Sequence, residues 1–153
     1  MFNLPLKKVV AEKAANIFIR QNTIFLTNQV YNQIIYHCRK ESPLEACGIL
    51  SGRDGIICTV WPMRNIDQSA VSFSMSRNEI NNVFNSIKKK NEIVLAIYHS
   101  HPTAPAIPSR GDIQYNNYPE LSHVIVSLQH KVPDIKAYQM VQNQVNSLII
   151  KLK

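Results

Sequence analysis

Three features of the sequence predict an α/β (α+β) fold in which helices pack a mixed central β-sheet. Ile93 to Tyr98 is a continuous apolar run of the kind a central strand needs when both of its faces are covered. Val30, Ile34, Ile35 and Cys38, and again Ile80, Val83, Phe84 and Ile87, recur at the spacing of one helix face. Ala46 to Ser51 and Ile56 to Met63 are β-prone runs joined by Gly52-Arg53-Asp54-Gly55, whose Asp-Gly pair favours a tight reversal. Hairpins and crossovers together, with helices between strands, point to a helix-packed sheet.

The elements follow in order. Residues 1–21 hold Val9, Val10, Ala14, Ile17 and Phe18 at a loosely helical spacing among Lys7, Lys8 and Lys13. They are expected to form a basic N-terminal extension, helical or partly disordered, that leaves 22–153 as the folded domain. Thr23 to Leu26 reads as a short strand, after which Thr27 or Asn28 caps the first helix. That helix ends before Ser42-Pro43, because the residue preceding proline avoids helical angles. Val71 to Met75 alternates apolar and polar residues and is expected to be a strand. Ser76-Arg77-Asn78-Glu79 then matches a capping box that opens a helix running to Lys90. Ser122 to Leu128, Ile135 to Val141 and Val145 to Leu152 complete the set as three strands.

A chain of 153 residues supports one domain with its own core, and 45% apolar with 18% charged residues is a globular composition, not a disordered one. The cysteines Cys38, Cys47 and Cys58 form no C-x-x-C clip and read as reduced core thiols of a cytoplasmic protein. No run approaches the roughly 18 apolar residues of a membrane span, and Lys7, Lys8, Glu12 and Lys13 interrupt any leader, so neither signal peptide nor anchor is expected. The net charge of +7 suits an acidic partner surface, while its scatter over the chain ends and Lys88 to Lys90 favours a solvated face over a nucleic-acid stripe.

The chemistry begins where the buried strand ends. His99 and His101 lie at i and i+2, on one face of an extended segment and about 6.7 Å apart at Cα, so both reach one metal. Eight residues beyond His101, Ser109 is suited to cap a helix, and Asp112 one turn later points the same way. Two His and a carboxylate form a catalytic-zinc ligand set that leaves a fourth position for water, whereas a structural site closes with four protein ligands. In a chain of this composition the spacing H-x-H-x7-S-x-x-D arises by chance roughly once in a few thousand sequences. Pro102, Pro105 and Pro108 suit a stiff loop between strand and helix.

The run HSHPTAPAIPSRGD, preceded by Pro43-Leu44-Glu45-Ala46-Cys47-Gly48, resembles the JAMM (MPN+) family of zinc metallopeptidases, whose signature is an upstream Glu followed by H-S/T-H-x7-S-x-x-D. The resemblance covers about Asn22 to Val141 and implies the JAMM/MPN, cytidine deaminase-like architecture. It also implies that His99, His101 and Asp112 bind one Zn2+ with a catalytic water, that Glu45 rather than Glu41 contacts that water, and that Ser109 donates to the developing oxyanion. Arg110 is either a solvated helix residue or faces a substrate carboxylate. Ser100 shapes the loop, Cys47 is a packed thiol, and His37, His123 and His130 lack ligand spacing.

The chain is compact, like the small stand-alone prokaryotic members. The implied reaction is hydrolysis of the peptide or isopeptide bond after the C-terminal Gly-Gly-type tail of a ubiquitin-like or sulfur-carrier protein. That tail is expected to pair with an exposed sheet edge near the metal. A non-catalytic MPN scaffold that binds a ubiquitin-like partner is the alternative, though such domains have usually lost ligands that are present here. A zinc nucleobase deaminase needs H-x-E and P-C-x-x-C, and neither string occurs.

Overall fold

The structure is a computed structural model and describes residues 22–116 and 118–153. The expected N-terminal extension lies outside the described residues. The elements run β1 (Thr23–Leu26), α1 (Asn28–Glu41), β2 (Cys47–Arg53), β3 (Ile56–Met63), α2 (Arg77–Lys89), β4 (Ile93–His101), α3 (Arg110–Gln114), β5 (Ser122–Ser127), β6 (Asp134–Val141) and β7 (Gln144–Leu152).

Helix ends follow the local chemistry. Thr27 caps α1 by accepting a hydrogen bond from the Val30 N–H at 3.2 Å, and Ser76 caps α2 by accepting one from the Glu79 N–H at 3.3 Å. The expected capping box of α2 is only half formed: the Glu79 carboxylate accepts from the Arg64 N–H instead, tying α2 to the end of β3. The predicted hairpin is β2–β3, and its turn residues Asp54 and Gly55 both have positive φ, of 50° and 77°, as a primed turn requires.

The sheet closes on itself in the order β1-β3-β2-β4-β5-β6-β7, with β7 returning to pair in parallel with β1. Strands β2 and β4 are central and covered on both faces, in keeping with their apolar runs. On one face Val30, Ile34 and Cys38 of α1 pack with Leu50, Ala96 and Tyr98. On the other, Ile80, Phe84 and Ile87 of α2 pack with Cys47, Ile49 and Ile97. The register places Leu50 opposite Ala96 but Ser51 opposite Val94, so β4 carries one extra residue, Leu95, as a bulge.

Two expectations are corrected. Val71 to Met75 is not a strand; it belongs to an irregular segment between β3 and α2 whose polar backbone groups bond locally, and Val71 is 81% exposed. Cys58 is not a core thiol, because it falls on the outward face of β3, while Cys38 and Cys47 are buried. The closure is partial: β1 meets β3 only at Ile56 and Ile57, so along Cys58 to Met63 the outer edge of β3 is paired by no described strand. No helix among the described residues is long and apolar enough to cross a membrane.

Gly48, next to the Glu45 motif, has a steric reason. A Cβ there would lie 2.5 Å from the Trp61 carbonyl oxygen and would also overlap the fully buried Tyr98 ring. Gly48→Ala is therefore expected to destabilise the fold by about 1–3 kcal/mol, the usual range for overpacking a core. Urea unfolding measures it, and an unchanged midpoint would contradict this packing.

Candidate metal centre

Strand pairing assembles the site. Cys47 of β2 lies opposite His99 of β4, and continuing this antiparallel register opposes Ala46 to Ser100 and Glu45 to His101. Alternation along the strands then turns Glu45, Cys47, His99 and His101 to one face. The continued pairing is held by the Ser100 N–H, which donates to the Ala46 carbonyl at 3.0 Å, and by the Ala46 N–H, which donates to Ser100 Oγ at 2.8 Å.

The third group arrives from α3. Ser109 and Asp112 form a reciprocal capping box: the Asp112 N–H donates to Ser109 Oγ at 3.0 Å, and the Ser109 N–H donates to Asp112 Oδ2 at 2.8 Å. That same Oδ2 stands 3.1 Å from His99 Nε2 and 3.2 Å from His101 Nε2, and the two Nε2 atoms are 3.1 Å apart. The loop before α3 is pinned to the sheet, because Ser127 Oγ donates to the Ala104 carbonyl at 2.6 Å and the Tyr138 hydroxyl donates to the Ala106 carbonyl.

Three donor atoms facing one point fit a metal better than they fit one another. His101 Nδ1 is 2.8 Å from the Pro105 carbonyl, which accepts only from a protonated ring nitrogen and so leaves Nε2 as a lone pair in neutral His101. A carboxylate oxygen and two imidazole nitrogens then share one small space with few protons between them. The edges of a tetrahedron with bonds of 2.0–2.1 Å are about 3.3–3.4 Å, close to the observed triangle. His99, His101 and Asp112 form the one potential metal-holding group of this kind found among the described residues. His99 Nδ1 has no hydrogen-bond partner; its ring is oriented instead by stacking on Phe73, with centroids 4.7 Å apart and an interplanar angle of 27°.

Glu45 is 4% exposed, and its Oε2 is buried without a hydrogen-bond partner. Burial pushes its carboxyl up from the ordinary range; His99 and His101 pull the other way, and Asp112 and Asp67 add to the rise. Burial also acts to raise Asp112, but its contacts with the His101 and His99 imidazoles and with the Ser109 N–H outweigh it and hold that carboxyl well below the usual range. The two carboxylates are thus driven apart in acidity. For His101, burial is outweighed by the Asp112 and Pro105 contacts, which raise it.

The remaining sequence expectations find their places. Ser109 is exposed, and Arg110 is exposed on α3. Cys47 lies opposite His99 in the ladder, its thiol pushed up to about 12 by burial, and stands outside the donor group. Glu41 turns to His37 Nε2 at 3.9 Å, and His37 Nδ1 meets the Tyr98 hydroxyl at 2.8 Å. Buried His123 has its imidazole pulled down to about 4 by burial, whereas His130 is exposed. Phe73 was not among the sequence-predicted site residues, since no local pattern announces a stacking partner 26 positions away.

Comparison with known proteins places this geometry in a family. Residues 27–141 match the prokaryotic homologs of the JAB domain, and the chain belongs to that family, as a small prokaryotic JAMM/MPN protein. It is 28% identical over 136 residues to the CysO-cysteine peptidase of Mycobacterium tuberculosis, covering 84% of this chain and 92% of that protein. It is 29% identical over 119 residues to a desampylase of Pyrococcus furiosus, covering 71% and 85% respectively. The solution structure of a Desulfitobacterium hafniense protein superposes with a TM-score of 0.80 at 35% identity, over 86% of this chain and 93% of that one. A JAB1/MPN domain protein from Archaeoglobus fulgidus shares the fold with a TM-score of 0.56 at 16% identity, over 84% and 98%.

The raised Glu45 acidity carries a stability consequence of known sign. Between the ordinary carboxyl value of 4.5 and the higher folded one, the folded chain keeps a proton that the unfolded chain has released, so stability falls as pH rises through that window. In chelator-treated protein, Glu45→Gln is expected to melt above wild type at pH 7, by a gap that shrinks toward pH 4. Thermal unfolding at both pH values checks it, and a pH-independent gap would contradict the burial of an ionised Glu45.

Proposed function

We propose that residues 22–153 form a zinc-dependent peptidase or isopeptidase that hydrolyses the amide bond after the C-terminal Gly-Gly-type tail of a ubiquitin-like or sulfur-carrier protein in the cytoplasm. The observation that carries this reading is the convergence of His99 Nε2, His101 Nε2 and Asp112 Oδ2 beside a buried carboxylate, Glu45, that has an unpartnered oxygen. The named activities of the relatives, a CysO-cysteine peptidase and a desampylase, support it.

His99, His101 and Asp112 would hold the ion. When bound, zinc supplies Lewis acidity, polarising a carbonyl and lowering the pKa of water toward about 7. Glu45 Oε2 accepts the proton of the attacking water and returns it to the nitrogen of the leaving amine. Its raised acidity suits both steps, since a base nearer neutrality is also a competent acid. The Ser109 hydroxyl accepts from the Asp112 N–H and still has its own proton to donate, so capping and stabilisation of the carbonyl oxygen coexist in one group. Asp112 stays ionised throughout, held so by its partners.

The tail pairs as an added strand with the outer edge of β3, which no described strand covers from Cys58 to Met63 and whose end, Met63, lies opposite Cys47 beside the site. Small tail residues let the backbone approach Glu45 and Ser109 without side-chain clash.

Metal analysis of reconstituted protein is expected to give one zinc per chain, lost in His99→Ala, His101→Ala and Asp112→Ala. Glu45→Gln keeps the zinc and loses about 10²-fold or more in turnover, and Ser109→Ala loses about 10²-fold in kcat. Zinc retained by all three ligand variants would exclude this site.

The substrate is checked with a ubiquitin-fold protein ending in Gly-Gly and extended by one cysteine, followed by mass spectrometry. Cleavage is expected after the final Gly and is abolished when that Gly is replaced by Val. Equal cleavage of the Val form, or efficient cutting of unrelated unfolded proteins, would identify a general zinc protease instead.

A further inference from the structure

The backbone around Glu45 is held by a side chain that the sequence motif does not include. Asn65 lies just after β3, at the start of the segment that leads to α2, and is 7% exposed. Its Nδ2 donates to the carbonyls of Glu45 at 3.0 Å and Ser72 at 2.9 Å, with the Ser69 carbonyl at 3.4 Å. Its Oδ1 accepts from the N–H groups of Asp67 at 3.1 Å and Ser74 at 3.2 Å. Carbonyls on one side and N–H groups on the other fix the amide's orientation, and only an amide supplies both. An aspartate of the same shape would set a negative oxygen against three carbonyls.

The Glu45 peptide is thus tied on every side. Its N–H donates to the Ser69 carbonyl at 2.9 Å, its carbonyl accepts from Asn65, and the next N–H, that of Ala46, is held by Ser100. The same segment carries Phe73, whose ring stacks on His99. Asn65 therefore joins the segment that orients a candidate metal ligand to the backbone that carries the candidate proton carrier. Buried hydrogen bonds in such a network are stronger and stiffer than exposed ones.

We infer that Asn65 is a positioning residue for the Glu45 carboxylate, acting through the Glu45 carbonyl and the segment that packs Phe73 against His99. The inference rests on the reading of Glu45 as the proton carrier. A displacement of about 1 Å at such a group is enough to cost on the order of 10²-fold in rate. A purely structural staple would instead lower stability and leave the turnover of the folded, zinc-loaded enzyme unchanged.

The test uses the full-length, zinc-loaded protein and the Gly-Gly-cysteine carrier. Asn65→Asp and Asn65→Ala are expected to keep one zinc per chain and the wild-type circular dichroism, to lose about 10- to 100-fold in kcat, and to change KM less than about threefold. In a Glu45→Gln background the same substitutions should lower the residual turnover no further, because the group they position is already disabled. A wild-type kcat in both Asn65 variants while Glu45→Gln is inactive overturns the inference, as does an equal further loss in the Glu45→Gln background. Wild-type turnover in Glu45→Gln overturns instead the reading beneath it. Independently of any variant, the Glu45 and Ser74 amide hydrogens of the wild type are expected to exchange slowly with solvent, and exchange of both at free-peptide rates would also overturn it.

Discussion

The antiparallel register of β2 against β4 is the constraint on which the rest of the site depends. With Cys47 opposite His99, Glu45 is carried to the position opposite His101, and all three polar site groups of these strands fall on one face. A slip of one residue would turn the imidazoles into the α1 side of the core and Ser100 toward the candidate metal position. Several features resist that slip. Gly48 admits the Tyr98 ring where any side chain would not fit, Ser100 brackets Ala46 with two hydrogen bonds, and the bulge at Leu95 sets the register of the preceding half of the strand.

The site concentrates groups that a stable core would avoid. Two imidazoles and two carboxylates are gathered where water is scarce, one carboxylate oxygen has no partner, and three donor atoms stand about 3.1–3.2 Å apart. Such an arrangement is costly in itself, and a divalent cation held there would relieve much of the cost by accepting all three lone pairs. The carboxylates are pushed in opposite directions: Asp112 is held ionised by its neighbours, while Glu45 is raised by burial. The same functional group is thereby held as an anion at Asp112 and made a weaker acid at Glu45.

Structural devices and chemical groups overlap throughout. The capping box of α3 uses Asp112 Oδ2 to accept from the Ser109 N–H, and that oxygen also faces both imidazoles. Asp112 is therefore fixed by helix geometry before any ion binds. The proline-rich loop that leads to it is anchored through Ala104 and Ala106 to β5 and β6, so the two halves of the donor set are joined to one rigid sheet. Closure of that sheet by β7 on β1 leaves the outer edge of β3 beyond Ile57 without a partner strand among the described residues.

The sequence by itself determined whatever depends on near neighbours. The apolar run of β4, the helix faces of α1 and α2, their caps at Thr27 and Ser76, the Asp54-Gly55 turn and the spacing of His99, His101, Ser109 and Asp112 are all local, because periodicity and hydrogen bonding within a few residues leave a direct mark on residue order. Tertiary structure alone decided how distant segments meet. Alternation made Val71 to Met75 read as a strand, but its backbone groups found partners in Asn65 and one another before any ladder could claim them. The Glu79 carboxylate left its own helix for Arg64, Cys58 fell on an outward face, and the sheet closed. The stacking of Phe73 on His99 and the hold of Asn65 on Glu45 join residues 20 or more positions apart, and such contacts are set by packing, which no local pattern encodes.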